Sequence, residues 1–400
     1  MSGVDLQELR DRMHISLSLL DHWYFDDDLC ERTLKDHFHV GSLEGLGISD
    51  YPCAVIAAGG LFTYLLETQK TTLDHMRVIT PYVTDRYMLL DSSTRRNLEL
   101  TETMREKSKR GSLLWVLDKT KTAMGARMLR SFLEQPLIDQ EEILARLDAV
   151  EEINAHEMDR EEIREYLGPV YDLERLISRV SYQSANPRDL ISFKTSIHMI
   201  PPIKKLLELF SCPELQKIQE EMDDLQDLYQ LLDQAIVEDP PLAMKEGGII
   251  KEGYHQQVDH FREAKSKGKT WLAELETEEK EKTGIRTLKI KYNKVFGYYL
   301  EVTNSFKDQV PDYYTRKQTL ANAERYITPR LKELEDMILG AEDKLYALEY
   351  DCFVQVRSQI AQAMERIQRT ARAIARLDTY ASLALVASRN QYVRPKINTK

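Results

Sequence analysis

The stretch from Leu331 to Gln391 constrains this chain more than any other, because it contains no proline and Gly340 is its only glycine. Leu331, Leu334, Ile338, Ala341, Leu345, Leu348 and Cys352 step through it by threes and fours. That spacing puts them on one stripe of an α-helix and makes a seam for a partner helix. An unbroken helix over this stretch would reach roughly 80–90 Å at about 1.5 Å per residue. A partner is available in Tyr254–Lys282, which turns very polar over Glu274–Lys282, as a helix end standing in solvent does.

Between these two rods the pattern changes period. Leu288, Ile290 and Tyr292 alternate with Lys289, Lys291 and Asn293, and after a turn near Asn293-Lys294 the residues Phe296, Tyr298, Leu300 and Val302 alternate in the same way. Period two with aromatic and branched residues predicts a half-buried hairpin. Two long helices therefore leave a body, carry a small β unit, and return.

The body itself reads as short helices on short loops. They run over Thr120–Gln135, where Pro136 ends the hydrogen-bond ladder, then Gln140–Ala155, Asp159–Leu167, Asp172–Val180, Pro187–Leu209 and Cys212–Gln234. Ser92 or Ser93 can cap a helix starting near Thr94. Arg77–Leu90 has strand character in Val78, Ile79, Tyr82, Val83 and Tyr87. The first 75 residues hold Gly41, Gly45, Gly47, Gly59 and Gly60, helical runs near Asp28–Phe38 and Tyr51–Gln69, and a strand end at Trp23-Tyr24-Phe25. They look like the tail of an α/β domain. The fold class is mainly α, with a multi-helix body, long antiparallel coiled-coil-like helices, a small β-rich unit and a partial α/β region at the N-terminus.

Charge singles out the β unit. Gly284–Arg330 holds nine Lys/Arg and four acids, 9 − 4 = +5, in a chain of net charge −11, so the rest carries −16. A positive tip on an acidic body directs polyanions to the tip. Lys289 and Lys291 fall on the polar face of the hairpin, with Lys294 in its turn. Arg316, Lys317, Thr319 and Asn322 fall in a segment read as a loop leading into a helix, where amide, hydroxyl and cationic groups suit phosphate oxygens. Arg325 either joins them or pairs with Glu324 or another nearby acid to brace the loop. A charged hairpin face can also be simply solvated, and composition alone leaves that reading open. Tyr298, Tyr299 and Tyr326 read as packing, Arg95, Arg96 and Arg188 as structural ion pairs, and Gly125 as a point of close helix approach.

Other chemistry is scarce. Cys30, Cys53, Cys212 and Cys352 form no CxxC pair, and His37 and His39 have no second ligand pair at metal spacing, so no metal is expected. Asp26-Asp27-Asp28 and Asp223-Asp224 read as solvated faces, and no catalytic grouping emerges. No apolar run approaches the roughly 18–20 residues of a membrane span. The start, Met1-Ser2-Gly3-Val4-Asp5, lacks a secretory pattern, which points to the cytoplasm.

Several motifs carry a resemblance. Met88-Leu89-Leu90-Asp91-Ser92-Ser93-Thr94-Arg95-Arg96-Asn97-Leu98-Glu99-Leu100 and Thr122-Ala123-Met124-Gly125-Ala126-Arg127-Met128-Leu129-Arg130, followed by Gln135-Pro136-Leu137, resemble the core (lever) domain of MutS-type DNA mismatch-repair proteins. Asp172-Leu173-Glu174-Arg175 and Asn186-Pro187-Arg188-Asp189-Leu190 are similar to further core motifs of that family. Gly297-Tyr298-Tyr299 and Thr319-Leu320-Ala321-Asn322-Ala323-Glu324-Arg325-Tyr326 resemble its clamp. Gly59-Gly60-Leu61 through Thr71-Thr72-Leu73-Asp74-His75 resembles the end of its connector.

The resemblance implies a connector end at 1–75, a discontinuous core at 76–250 and 340–400, and a clamp at 251–339 with its β tip at about 284–330. It further implies that Lys289, Lys291, Lys294, Arg316, Lys317, Thr319, Asn322 and Arg325 hold the backbone of duplex DNA without reading sequence. No G-x-x-x-x-G-K-[ST] phosphate loop occurs, so the family's ATPase domain is expected to lie outside this chain, as is its mismatch-reading domain with a Phe-x-Glu wedge. Phe132-Leu133-Glu134 matches that tripeptide but sits inside a core helix and reads as packing. The chain is then a central piece of a longer protein, with no cofactor and no enzymatic activity of its own. ATP and Mg, a homodimer and a MutL-type partner are implied for the whole protein. Two other readings remain: a coiled-coil structural or interaction protein, which gives no reason for a basic β tip, and an enzyme with an unfamiliar nucleotide site.

Overall fold

A computed structural model describes residues 19–69, 73, 76, 79, 86–241, 247–293, 295 and 297–398, and the chain divides into two compact units.

The first unit comprises Met1–Arg95 and Glu134–Ile143. Trp23-Tyr24-Phe25 is not a strand end: His22–Phe25 forms a 3₁₀ turn with the Tyr24 amide on the Asp21 carbonyl. The turn delivers Asp26 as the N-cap of α1 (Asp27–Phe38), where its carboxylate accepts the Leu29 amide at 3.0 Å. Helix α2 (Pro52–Gln69) lies close against that segment, and a Cβ on Gly59 would stand 2.5 Å from the Cys30 Cα. Leu34, Leu43, Ile48, Val55, Phe62 and Leu73 fill the space between. Of the expected Arg77–Leu90 strand, Val78, Tyr82 and Val83 lie outside the described residues, while Tyr87 makes an isolated antiparallel bridge with Leu137. Helix α3 (Ser92–Asn97) is capped by Asp91, not by Ser92 or Ser93, since Oδ1 of Asp91 accepts the Thr94 amide at 2.6 Å.

The second unit comprises Arg96–Leu133 and Leu144–Lys400. Its helices are α4 (Leu113–Leu117), α5 (Ala123–Glu134), α6 (Gln140–Ala155), α7 (Glu157–Leu167), α8 (Leu173–Ser181), α9 (Pro187–His198), α10 (Ile200–Leu207), α11 (Pro213–Glu221), α12 (Gln226–Ala235), α13 (Gln256–Thr283), α14 (Pro329–Gln362) and α15 (Met364–Asn390). Three expected helices are broken. Pro187–Leu209 divides at Met199, because Pro201 and Pro202 offer no amide to continue the ladder and sit where a new first turn tolerates them. Cys212–Gln234 divides where Leu225 takes φ +49 and Asp223 accepts its amide. Asp223 is also bound by Arg366 at 2.7 Å, so Asp223-Asp224 is not simply a solvated face.

The third break matters most. At Ala363 (φ −90, ψ 13) the amide turns to the Ile360 and Ala361 carbonyls, ending α14 and starting α15. With 34 residues α14 spans about 51 Å, well short of 80–90 Å. Neither proline nor glycine marks the point. Packing decides it, for α15 is buried on most of its circumference (Ile367, Thr370, Ala371, Ala373, Ile374, Leu377 and Asp378), as a central helix must be.

Polar anchors tie this body together. Asp378 is fully buried and accepts the Lys121 and Thr122 amides and the Thr122 hydroxyl, capping the start of α5 from another helix. Burial pushes its carboxyl above the ordinary range, although these bonds and the Arg164 charge oppose the shift. Gly125 is required at the same contact, since a Cβ there would meet the Asp378 carboxylate at 2.3 Å. Phe132 packs half-buried on the body core with the Arg146 guanidinium 3.5 Å from its ring centre. Arg188 pairs with Asp239, whereas Arg95 and Arg96 form no ion pair among the described residues.

α13 and α14 run antiparallel. Near the body Arg262 meets the buried Glu349 at 2.8 Å, and further out Lys265 meets Glu342 at 2.6 Å. Beyond them Gly268 lets the helices close, a Cβ there falling 2.6 Å from Ile338. Leu345, Cys352, Phe353, Val356 and Ile360 of α14 belong to the body core, while Leu331, Leu334 and Ile338 belong to a second, smaller core under the sheet.

Candidate nucleic-acid interface

Four strands cap the α13–α14 pair: β1 (Lys289–Asn293), β2 (Gly297–Thr303), β3 (Thr315–Thr319) and β4 (Ala323–Ile327), all antiparallel in the order β1-β2-β4-β3. The expected hairpin is β1–β2. The second hairpin corrects the reading of Arg316, Lys317, Thr319 and Asn322 as a loop entering a helix. The first three lie in β3, Asn322 lies in the β3–β4 turn, and the next helix begins only at Pro329. β3 has no apolar alternation because, as an edge strand, it is exposed along nearly its whole length.

Register fixes which side chains share a face. Ile290, Leu300 and Tyr326 align across the sheet and pack with Val302 and Tyr314 on Leu272, Leu275, Leu331, Leu334 and Ile338 of the helices. The opposite face carries the row Lys289–Glu301–Arg325–Gln318, with Lys291 beside Tyr299. Edge strands β1 and β3 stand three strand spacings apart, about 14 Å.

The expected residues therefore divide. On the β1 edge Lys289 is exposed and makes no ion pair among the described residues. Lys291 is exposed but bound to Glu301 at 2.7 Å, and that carboxylate holds its ammonium above the ordinary range. Lys294 lies outside the described residues. On the β3 edge Arg316 approaches Glu324 at 3.7 Å. Lys317 is the extra residue of a bulge between Arg316 and Gln318, exposed and without an ion pair among the described residues. Such bulges turn a side chain away from the ladder. Thr319 and Asn322 are exposed beside it, and the Asn322 carbonyl accepts the Asn304 amide at 3.2 Å.

Arg325 sits apart from both groups. Its guanidinium lies 4.4 Å from the Tyr299 ring centre, donates to Gln318 at 2.8 Å and reaches Glu301 at 4.0 Å, which braces the middle of the face. The acid it approaches is thus Glu301 rather than Glu324. Tyr298 is half-buried and Tyr299 and Tyr326 are buried, as packing requires. Burial and the Glu324 carboxylate push Tyr326 up to about 12. Glu301, Gln318 and Tyr299 went unread as site residues. The alternation that puts Lys289 and Lys291 on the polar face also puts Tyr299 and Glu301 there, so the signal was present.

Neither edge resembles a catalytic site, and among the described residues no helix is long and apolar enough to cross a membrane. Family models match over two spans: MutS domain II at residues 3–77 and MutS domain III at 93–384. The chain is 61% identical over 397 residues to a DNA mismatch repair protein MutS of Lachnoclostridium phytofermentans, covering 99% of this chain and 43% of that protein. A protein of the same name from Acetivibrio thermocellus is 50% identical over 389 residues, 97% of this chain and 44% of the relative. Another, from Caldanaerobacter subterraneus, is 52% identical over 356 residues, 89% of this chain and 41% of the relative. The chain spans less than half the length of these relatives.

Proposed function

Since the chain belongs to the MutS family, we propose that it is the DNA-holding middle of a mismatch-repair ATPase. The four-stranded sheet is the clamp that touches duplex DNA, and α13 and α14 are the lever that connects it to the body. Residues 1–75 are the end of the connector, 76–250 with 340–400 the core, and 251–339 the clamp. ATP and Mg bind in the ATPase domain of the longer protein, where the homodimer chiefly forms, and a MutL-type partner meets the connector and core. The protein works in the cytoplasm, and this region hydrolyses nothing by itself.

One observation carries the reading. In a chain of net charge −11 the segment Gly284–Arg330 holds nine Lys/Arg against four acids, and of these cations Arg286, Lys289, Lys307 and Lys317 are exposed without an ion pair among the described residues. Lys289 on β1 and Lys317 on β3 stand on opposite edges, about 14 Å apart, which is comparable with the roughly 12 Å width of the major groove, so phosphates of both strands come within reach. Lys289 and Lys317 lie on strands rather than along a helix, and contact is with the backbone. The coiled-coil alternative fares worse, since it gives the sheet no task.

The reading is tested by binding of matched and G·T-mismatched duplexes across a salt series. Weak binding without mismatch preference is expected, with a log–log slope of roughly −2 to −4 for about two to four phosphates. A clear preference for the mismatch would overturn it.

A further inference from the structure

The sheet is fastened to its helices by more than apolar packing. Oε2 of Glu335 on α14 accepts the Tyr298 amide of β2 at 2.6 Å, and Lys332 holds the other carboxylate oxygen. Oε2 of Glu276 on α13 accepts the Ile290 amide of β1 at 2.8 Å, with Lys280 on its other oxygen at 2.6 Å. Oε2 of Glu279, also on α13, accepts the hydroxyls of Tyr313 and Tyr314, both at 2.8 Å, from the segment that leads into β3. Glu279 and Glu335 are buried. Gly297 is shaped to this contact: it takes φ +74, and a Cβ on it would stand 2.2 Å from Oε2 of Glu335.

Apolar burial is non-directional and tolerates sliding, whereas hydrogen bonds to a carboxylate are short and angle-dependent. The packing under the sheet therefore holds it down without fixing its angle. We propose that Glu276, Glu279 and Glu335 are positioning residues, a three-carboxylate joint that sets the orientation of the DNA-contact sheet on the α13–α14 pair. They touch no DNA. They act through the strands they grip, so that both cationic edges point the same way whenever the helices do. This proposal rests on reading the sheet as the DNA-contact surface, and its main test needs no DNA.

Nitroxide labels at Ser305, beside the sheet, and Lys344, on the exposed side of α14, report the angle as a distance in a Cys53→Ser background, the other three cysteines being buried. The parent is expected to give a narrow distribution. Glu335→Leu, which removes the acceptor and keeps the bulk, shifts or broadens it by several ångströms, and Gly297→Ala does the same. Glu335→Gln keeps an acceptor oxygen and restores the parent distribution, which a purely volume-filling role would not require. Should Glu335→Leu unfold the sheet, as judged by hydrogen exchange of the β2–β4 amides, the paired change Tyr313→Phe with Tyr314→Phe keeps the rings and removes only the bonds to Glu279. It is expected to broaden the distribution with the ladder still protected. Unchanged distances in a folded Glu335→Leu or in the paired variant overturn the proposal. Duplex affinity, measured on the same proteins, should fall several-fold with an unchanged salt slope. Shifted distances with undiminished affinity leave the joint standing and refute the DNA reading of the sheet.

Discussion

Along α14, Phe353, Val356 and Ile360 are fully buried in a core built mainly of helices, whereas Leu331, Leu334 and Ile338 meet a sheet whose far face is open. In the body, polar anchors such as Asp378 cap other helices inside an apolar core that would be cohesive without them. At the β end the core is small, and carboxylates on the helices grip the strands themselves. The body is held by area, and the sheet by area plus a few directed bonds. Burial of apolar surface scales with the size of the core, so the sheet should separate from the helices at lower stress than the body unfolds.

Truncating each core is the strongest way to break that comparison. Phe353→Ala should cost the body about 3–5 kcal/mol and lower its main melting transition, which calorimetry would read. Leu300→Ala, under the sheet, should cost about 2–5 kcal/mol but spend it locally. Exchange protection should vanish from β1–β4 while the main transition hardly moves. If Leu300→Ala lowers the main transition as far as Phe353→Ala does, the two cores are one cooperative unit.

Asp378→Ala should rank next. It leaves two amides and a hydroxyl without their acceptor, a loss of about 2–4 kcal/mol at roughly 1–3 kcal/mol per unsatisfied group with partial rescue by water. Denaturant titration of the body reads it, and a change below about 1 kcal/mol would show that the α5 cap is redundant.

Both cores were partly legible in the residues. Period two at Leu288–Val302 announced β1 and β2, because those strands have one buried face, and threes and fours at Leu331–Cys352 announced the α14 stripe. What escaped was whatever depends on a partner distant in sequence. β3, Thr-Arg-Lys-Gln-Thr, has no buried face to betray it and exists because β4 offers a ladder. The break at Ala363 carries no proline or glycine, since it is imposed by the burial of α15. Asp223 looked like surface until Arg366, far along the chain, closed on it. The site was half legible for the same reason. Cations show in composition, but whether Lys291 or Lys317 is already engaged depends on Glu301 being across the strand and on a bulge.

Reversing exposed charge on the sheet should act on DNA binding far more than on either core. Lys289, Lys291, Arg316 and Lys317 exchanged together for Glu should abolish duplex binding, at a cost to the sheet of about 1–2 kcal/mol from the like charges set against Glu301 and Glu324. Within that set Lys291 should matter least when changed singly to Gln, because Glu301 already occupies its ammonium. Binding by the quadruple variant as tight as the parent's would place the DNA surface elsewhere.

The smallest effect is expected in alkali, and it falls on the β end first. Burial and the Glu279 carboxylate push Tyr313 up to about 12, and the same two causes raise Tyr314 further. Tyr326 is pushed up to about 12 by burial and Glu324. A tyrosine in the unfolded chain loses its proton near pH 10. A raised folded value therefore favours the folded state fully below about pH 10, and that contribution is lost as pH rises from there towards about 12. Nothing should change between pH 7 and 9. Above pH 10 protection of the β1–β4 amides should fall before that of α15, and the absorbance of tyrosinate at 295 nm should rise late compared with the unfolded chain. Tyr313→Phe removes one bond to Glu279 and with it part of the pH dependence, so its β-end stability should be slightly lower at pH 8 and flatter between pH 10 and 12. A β end that loosens by pH 9, or a Tyr313→Phe variant as steep as the parent, would mean that the tyrosine–carboxylate bonds do not hold the sheet.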